Sequence, residues 1–181
     1  LARSGDEVYV IGSHGGKSKC GREASRQRIV RVSTDASGNA TSAVVAKAGE
    51  KEWSDRLAAC ATDLLRVAAA DAPLAAQVCD AIAKAEKSAD ASPPSCVDVF
   101  NIEGAAMLSE AKDGKPCLWV GLRAPLVDGK PILLRVASLE PSGEPVSFDG
   151  VALLELRGRD IRELTLAGDR VFGIAGSVED S

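Results

Sequence analysis

The chain has few aromatic residues, a single histidine and no strong excess of one charge. Aromatic residues make up 3% of its 181 residues, and 22 basic against 26 acidic side chains give a net charge of −4. A nucleic-acid-binding surface needs a basic face with interleaved aromatic side chains, so we predict no nucleic-acid partner. Because His14 is the one histidine, a histidine-cluster metal site is excluded within these residues, and we assign no metal ligands.

Long hydrophobic runs are also missing. The most apolar segment is interrupted by Asp63, Arg66 and Asp71, so no run reaches the length of a membrane span. We therefore predict no membrane-spanning segment. Hydrophobic residues still make up 45% of the chain, and at this length they suffice to bury a core.

One phrase occurs three times, at residues 1–14, 107–123 and 164–177. Each copy is typical of a strand, a Gly/Asp turn, a second strand with an aromatic residue, and a polar exit. Gly121 and Ala175 are equivalent in this alignment and lie 54 residues apart. A period of roughly 40 to 50 residues that carries several strands is typical of propeller blades.

The middle copy is apolar at odd and even positions alike. Its two runs, Ile102–Leu108 and Cys117–Leu122, flank a turn predicted at Asp113 and Gly114. Because side chains alternate between the two faces of a strand, we expect both faces of this sheet to be covered.

We predict an all-β fold, a partial β-propeller of about two to three four-stranded blades with an α-helical hairpin insertion. The predicted units are a blade that lacks its start (1–50), the insertion (51–95), a whole blade (96–157) and the start of the next blade (158–181). The predicted strands are 7–12, 28–33, 40–46, 101–108, 116–122, 131–139 and 151–156. Closed propellers typically need 4 to 8 blades, so we expect the chain to be a piece truncated at both ends, with the remaining sectors outside it.

The insertion is rich in alanine, which favours helix over strand. Ser54 or Asp55 can cap a first helix, and Asp71 with Pro73 can begin a second one. The apolar stripe of the second helix consists of Leu74, Val78 and Ile82.

The five cysteines are not spaced as a zinc site, which would show close pairs. They are Cys20, Cys60, Cys79, Cys96 and Cys117. Disulfides that pin the insertion to the blades would indicate an oxidising compartment. The alternative is buried reduced cysteine, for which Cys117 within a strand is the best candidate.

One face of a propeller collects the loops after the second strands and the starts of the first strands, so we expect a binding site there. The candidate ligand-binding residues on this loop-rich face are His14, Arg26, Asn101, Glu103, Arg123 and Arg162. Its expected partner is a small molecule or a protein.

Each candidate also has a purely structural interpretation. His14 is either a solvated loop residue or a ligand contact and general base. Glu103 either binds a cation or a substrate hydroxyl, or pairs with Arg162 as a bridge between blades. Arg123 and Arg162 either hold an anion bidentately or are solvated and paired.

Four phrases resemble a family of bacterial domains of unknown function, mostly exported and predicted to be β-propellers, that is distantly similar to esterase-like phytase propellers. They are NIEGAA (101–106), LWVGLRAPL (118–126), VIGSHG (10–15) and DIREL (160–164). The resemblance covers most of the chain except the insertion and supplies no catalytic residues. By analogy with phytases it implies calcium-dependent phosphoester chemistry, although a dense acidic cluster is missing here.

We therefore predict a ligand- or partner-binding module of an exported protein, located in the periplasm or outside the cell. The alternative is a metal-dependent phosphoester or ester hydrolase. In that case Glu103 and His14 would be acid/base or metal-linked groups, while Arg123 and Arg162 would steady an anion. We predict no cofactor for the binding module, and Ca²⁺ is the ion that the phytase analogy implies.

Overall fold

The structure is a computed structural model that describes residues 1–13, 26, 28–46, 71–89, 100–109, 116–137, 148–168 and 170–177. Within these ranges lie ten strands and one helix. They are β1 (Ala2–Ser4), β2 (Glu7–Ile11), β3 (Ile29–Thr34), β4 (Ala40–Ala46), α1 (Ala72–Ala89), β5 (Asn101–Ser109), β6 (Pro116–Val127), β7 (Lys130–Val136), β8 (Phe148–Leu153), β9 (Asp160–Ala167) and β10 (Arg170–Gly176).

The strands form three antiparallel sheets in which neighbours along the chain are neighbours in the sheet. The first sheet has the order β1-β2-β3-β4, the second sheet β5-β6-β7-β8, and the third sheet consists of β9 and β10. The expectation of a mostly β chain is confirmed, and each predicted strand coincides with or overlaps a strand of the structure. β8 begins three residues earlier than predicted, at Phe148, and β6 continues to Val127.

The helix predicted to begin near Asp71 is confirmed as α1. Val78 and Ile82 of its apolar stripe are fully buried and Leu74 is partly buried. The helix contacts β6 and β8. The other helix predicted for the insertion and the turn at 113–114 lie outside the described residues. The one helix in the described ranges is not long and apolar enough to cross a membrane.

One face of the second sheet carries the main core. Leu118 and Val120 of β6 point to this face and are fully buried. They belong to one cluster with α1 and with Tyr9 and Ile29 of the first sheet. The first sheet, the helix and the second sheet therefore share a continuous apolar interior.

On the opposite face of the second sheet, β9 packs against two glycines, Gly104 and Gly121. A Cβ atom at Gly104 would lie 2.7 Å from Leu164 Cγ, and one at Gly121 would lie 2.9 Å from Ile161 Cγ2. Only a residue without a side chain permits this approach. The prediction that both faces of the second sheet are covered is therefore confirmed.

The pairing register corrects the sequence alignment of the repeats by one residue. Ile102 pairs with Leu122, and Ile161 pairs with Ala175, so Ala175 corresponds to Leu122 and not to Gly121. The alignment compared residue types along the chain, whereas the register is set by which residues pair across the two strands.

The prediction of disulfides has not been decided. No disulfide joins Cys79 to Cys117, since Cys117 of β6 is a thiol. The remaining candidates, Cys20, Cys60 and Cys96, lie outside the described residues, so the pairing stays a prediction.

Candidate functional site

Two β-bulges between β5 and β6 change the direction of two charged side chains, Glu103 and Arg123. Asn101 pairs with Ala124 and Ile102 pairs with Leu122, so Arg123 is the extra residue on β6. A bulge removes one residue from the ladder and changes the direction of its side chain. The structure thereby explains why Arg123 can leave the pleat of the sheet.

The second bulge lies one step further along the same two strands. Ile102 pairs with Leu122 and Gly104 with Gly121, which makes Glu103 the extra residue on β5. The two neighbouring bulges therefore turn a carboxylate and a guanidinium group out of the pleat at the same end of the two strands.

The third sheet repeats the bulge of β5. Glu163 pairs with Ile174 and Ile161 pairs with Ala175, which leaves Arg162 as the extra residue on β9. Arg162 occupies the position that Glu103 has in the second sheet, as the repeat predicted. The repeat thus places side chains of opposite charge at equivalent positions of adjacent sheets.

These side chains form a charge cluster of four residues, Glu103, Arg123, Asp160 and Arg162. Arg123 Nη1 donates a hydrogen bond of 3.0 Å to Glu103 Oε1, and Arg123 Nε lies 3.5 Å from Asp160 Oδ2. Arg162 Nε donates a bond of 2.8 Å to Asp160 Oδ1, and its Nη1 lies 3.7 Å from Glu103 Oε2. Each carboxylate therefore contacts both guanidinium groups, and the four charges cancel.

Burial differs within the charge cluster. Asp160 is fully buried, whereas Glu103, Arg123 and Arg162 are partly buried. A buried carboxylate is stable only when it is paired and hydrogen-bonded, and the two arginines supply that compensation. Asp160 is therefore the residue on which the arrangement depends most.

Glycine makes room for one of the arginines. A Cβ atom at Gly176 would lie 2.5 Å from Arg162 Nε, so a larger residue there would displace the guanidinium group. Arg162 also donates from Nη2 to the carbonyl oxygen of Ser177. The end of β10 thus holds Arg162 toward Asp160.

Asn101 extends the cluster through its side-chain amide, and two buried oxygens at the cluster accept no hydrogen bond from the described residues. Its Nδ2 donates a bond of 3.0 Å to Glu103 Oε1. Its Oδ1 and the Oδ2 of Asp160 are buried and accept no hydrogen bond within the described part of the chain. Buried polar atoms are usually hydrogen-bonded, so these two oxygens stand out as a site for a donor.

The structure brings four of the six predicted site residues together: Asn101, Glu103, Arg123 and Arg162. His14 lies outside the described residues. The backbone of Arg26 lies against Gly12 at the end of the first sheet.

Asp160 is the residue of the cluster that the list of predicted site residues missed. It lies at the start of β9, in the position that Asn101 has at the start of β5. Comparing the repeats position by position would have found it, because Asn101 was already a candidate.

The cluster favours the pairing interpretation of Glu103 that the sequence left open. Its Oε1 accepts from Asn101 and Arg123, and its Oε2 lies near Arg162. Its use as a ligand or catalytic group stays a prediction. Within the described ranges, no group of three His, Cys, Asp or Glu side chains is placed to hold a metal ion.

A second feature is an apolar cleft of about 290 Å³ between the second and third sheets. Its walls include Trp119, Leu133, Leu154, Leu156, Ile161 and Val171. Apart from the indole N–H of Trp119, the side chains that line the cleft are apolar. The cleft is therefore better explained as part of a sheet interface that β9 and β10 cover incompletely.

Comparison with known proteins identifies no relative. The chain matches no protein-family model, no curated protein and no solved structure. The resemblance to exported bacterial propellers therefore stays a prediction, and the function has to be inferred from the charge cluster.

Proposed function

We propose that the three sheets are successive blades of a β-propeller whose remaining sectors lie outside these residues. Three observations support this arrangement. The sheets are antiparallel meanders, β1 contacts β5 and β5 contacts β9, and the bulges of β5 and β9 fall at equivalent positions. First strands that lie side by side are expected around the axis of a propeller.

An experimental structure of the assembled protein tests the ring. Sheets related by a constant rotation about one axis would support it. Unrelated angles between the sheets, or their packing into a closed two-layer sandwich, would contradict it.

The function that we propose is the binding of a small polar molecule at the charge cluster. The observation that carries this proposal is the pair of buried acceptor oxygens, Asn101 Oδ1 and Asp160 Oδ2, which accept no hydrogen bond from the described residues. Asp160 Oδ2 has an ionic partner, Arg123 Nε at 3.5 Å, whereas an oxygen such as Asn101 Oδ1 that is left unsatisfied costs about 1 to 3 kcal/mol. A ligand with hydroxyl donors would recover that cost, and the balanced charges of the cluster favour a neutral ligand over an ion.

Thermal unfolding of the full chain with myo-inositol, glucose, inorganic phosphate or calcium chloride tests this function. A ligand that binds the folded state raises the unfolding temperature with its concentration. We expect a shift with at least one polyol and its loss in Asn101→Ala. Lys130→Ala is the matched control, because it breaks only an ion pair with the exposed Glu155.

Three results would contradict the proposed site. The first is the absence of a shift with both polyols, and the second is an equal shift in Asn101→Ala. The third is a larger shift with phosphate or calcium, since an ion would then be the preferred ligand.

The hydrolase alternative is not favoured by the contacts of Glu103. An acid, a base or a metal ligand needs an oxygen that can reach the substrate or the ion. Both oxygens of Glu103 instead face the amide or guanidinium groups of Asn101, Arg123 and Arg162. We therefore propose binding rather than catalysis.

An exported location remains part of the proposal and rests on the predicted disulfides and the resemblance. Counting reactive thiols in the denatured, unreduced protein tests it. We expect fewer than the five thiols of the sequence in protein recovered from the periplasm. Recovery of all five would remove the disulfide argument.

A further inference from the structure

The aromatic residue of each repeat occupies one structural position. Tyr9 pairs with Ala2, Trp119 pairs with Ala106, and Phe172 pairs with Thr165. Since the first strands of the second and third sheets superpose in this register, the three aromatic side chains point to the same side of their sheets. In the first and second sheets, that side faces the next sheet along the chain.

The burial of these aromatic side chains depends on what lies on that side. Tyr9 is 4% exposed in the core shared with the second sheet. Trp119 is half-buried at the cleft next to the third sheet. Phe172 is 55% exposed, and Ile174, two residues further along β10, is 59% exposed. We call the surface of Phe172 and Ile174 the tail face.

The first sheet has an apolar surface on its opposite side. Val8 pairs with Val32, and Val10 pairs with Val30. Because they alternate with Tyr9 and its neighbours, these four valines point away from the core, and Val10 is 40% exposed. We call this surface the head face. In the described residues, none of the four belongs to the main core cluster.

We propose that a second copy of the chain binds with its head face to the tail face of the first. Both faces belong to the same polypeptide, on its first and last sheets. Where neighbouring sheets of this chain pack, the aromatic side of one sheet meets the opposite side of the next. The proposed contact between the tail face and the head face has the same arrangement. This inference rests on the propeller arrangement proposed above.

A contact of this kind is heterologous, because different surfaces of two identical chains meet. Such head-to-tail association forms a closed ring when the rotation between copies closes and a filament when it does not. Exposed apolar patches of this kind commonly mark interaction sites.

Sedimentation velocity of the full chain across a concentration series up to the millimolar range tests the association. We expect wild-type protein to form oligomers as its concentration rises. Phe172→Lys removes the tail face and Val10→Lys the head face, and each should weaken self-association at least about tenfold. Val44→Lys is the matched control, because Val44 is a partly exposed valine of the same sheet on the side of Tyr9.

A mixture of the two variants provides the sharper test. The Phe172→Lys chain keeps its head face and the Val10→Lys chain keeps its tail face, so an equimolar mixture should form dimers that stop at two chains. A wild-type chain that stays monomeric at all concentrations would overturn the proposal. So would oligomers that neither lysine variant weakens, or variants that fail to form dimers when mixed.

The folding of each variant is verified by the phenolate titration of Tyr9, which reports the packing of the first sheet on the second. The polyol titration of the same wild-type sample separates this inference from the proposed ligand site. Monomeric protein with an intact polyol shift would overturn the association alone. Oligomeric protein without that shift would overturn the ligand site alone.

Discussion

The two faces of the second sheet differ in how completely they are covered. On the side of the first sheet, α1 and large apolar side chains such as Leu118, Val120 and Ile82 fill the interface without exposure. On the side of the third sheet, β9 approaches closely at Gly104 and Gly121 but leaves a cleft of about 290 Å³. The two faces of one sheet thus form two kinds of interface.

The difference shows that the strand pattern does not determine burial alone. Among the described residues, a four-stranded sheet and a helix cover the first side, whereas the two strands β9 and β10 cover the second. The second interface relies more on polar contacts, because the charge cluster joins β5 and β6 to β9. The following variants test this contrast, from the largest expected effect to the smallest.

Leu118→Ala should destabilise the chain most. Leu118 of β6 is fully buried in the core that the second sheet shares with α1. Truncating a buried leucine to alanine costs about 3 kcal/mol through lost burial and a residual cavity. Urea unfolding measures the change in the free energy of unfolding. Leu156→Ala at the cleft is the control and should cost about 1 kcal/mol, because its side chain is only partly buried. Equal losses would contradict the contrast between the two interfaces.

Asp160→Asn should weaken the polar contact between the second and third sheets. It removes the buried charge that faces Arg123 and Arg162, and we expect a loss of about 2 kcal/mol, less than for a fully buried ion pair. Urea unfolding again provides the measurement. Glu155→Gln is the control, because Glu155 is 70% exposed in its pair with Lys130 and should cost under about 0.5 kcal/mol. Similar losses for both variants would show that the charge cluster behaves as a surface pair.

Gly104→Ala should push β9 away from the second sheet. The new Cβ would lie 2.7 Å from Leu164 Cγ, and overpacking of this kind costs about 1 kcal/mol or more. Adding Leu164→Ala gives the methyl group space. A double-mutant cycle should therefore show a favourable coupling of at least about 0.5 kcal/mol. Strict additivity would mean that the close approach does not constrain the interface.

Tyr9 should titrate at unusually high pH. Burial, followed by the hydrogen bond that its hydroxyl donates to Glu7, raises the pKa of Tyr9 from 10.0 to about 12. The folded state favours the neutral phenol, so this contribution to stability is complete below the unfolded pKa and is lost as the pH rises from about 10 to about 12. The absorbance of the phenolate measures the titration directly, since Tyr9 is the one tyrosine of the chain.

Replacing Glu7 separates the two causes. Glu7→Gln removes the carboxylate charge and leaves the burial of the ring, so the pKa of Tyr9 should fall toward its ordinary value but stay above it. A wild-type midpoint near the ordinary value would show that the interface between the first and second sheets is open to water.

The local elements of the fold were predictable because they depend on short patterns. The strands around Ile102 and Val120 follow from their apolar residues, and α1 follows from an alanine-rich segment with a stripe that includes Val78. The candidate site was predictable in part. The repeat indicated Glu103 and Arg162 as equivalent, and they do lie at equivalent bulges.

The rest depended on contacts between distant residues. The role of Asp160 depends on Arg123 and Arg162, which meet at its carboxylate. The shift of one residue in the repeat alignment is visible only in the pairing of the strands. The predicted contributions of His14 and the loop around it lie outside the described residues and stay predictions.

The sequence by itself determined that this chain forms repeated antiparallel hairpins, since alternating apolar residues and Gly/Asp turns act over a few positions. Only the tertiary structure decided which charged groups meet and which apolar faces are covered. Bulges, burial and ion pairs depend on the packing of residues that are far apart along the chain. For that reason the repeats are similar in sequence, yet the aromatic residue is buried in the first, half-buried in the second and exposed in the third.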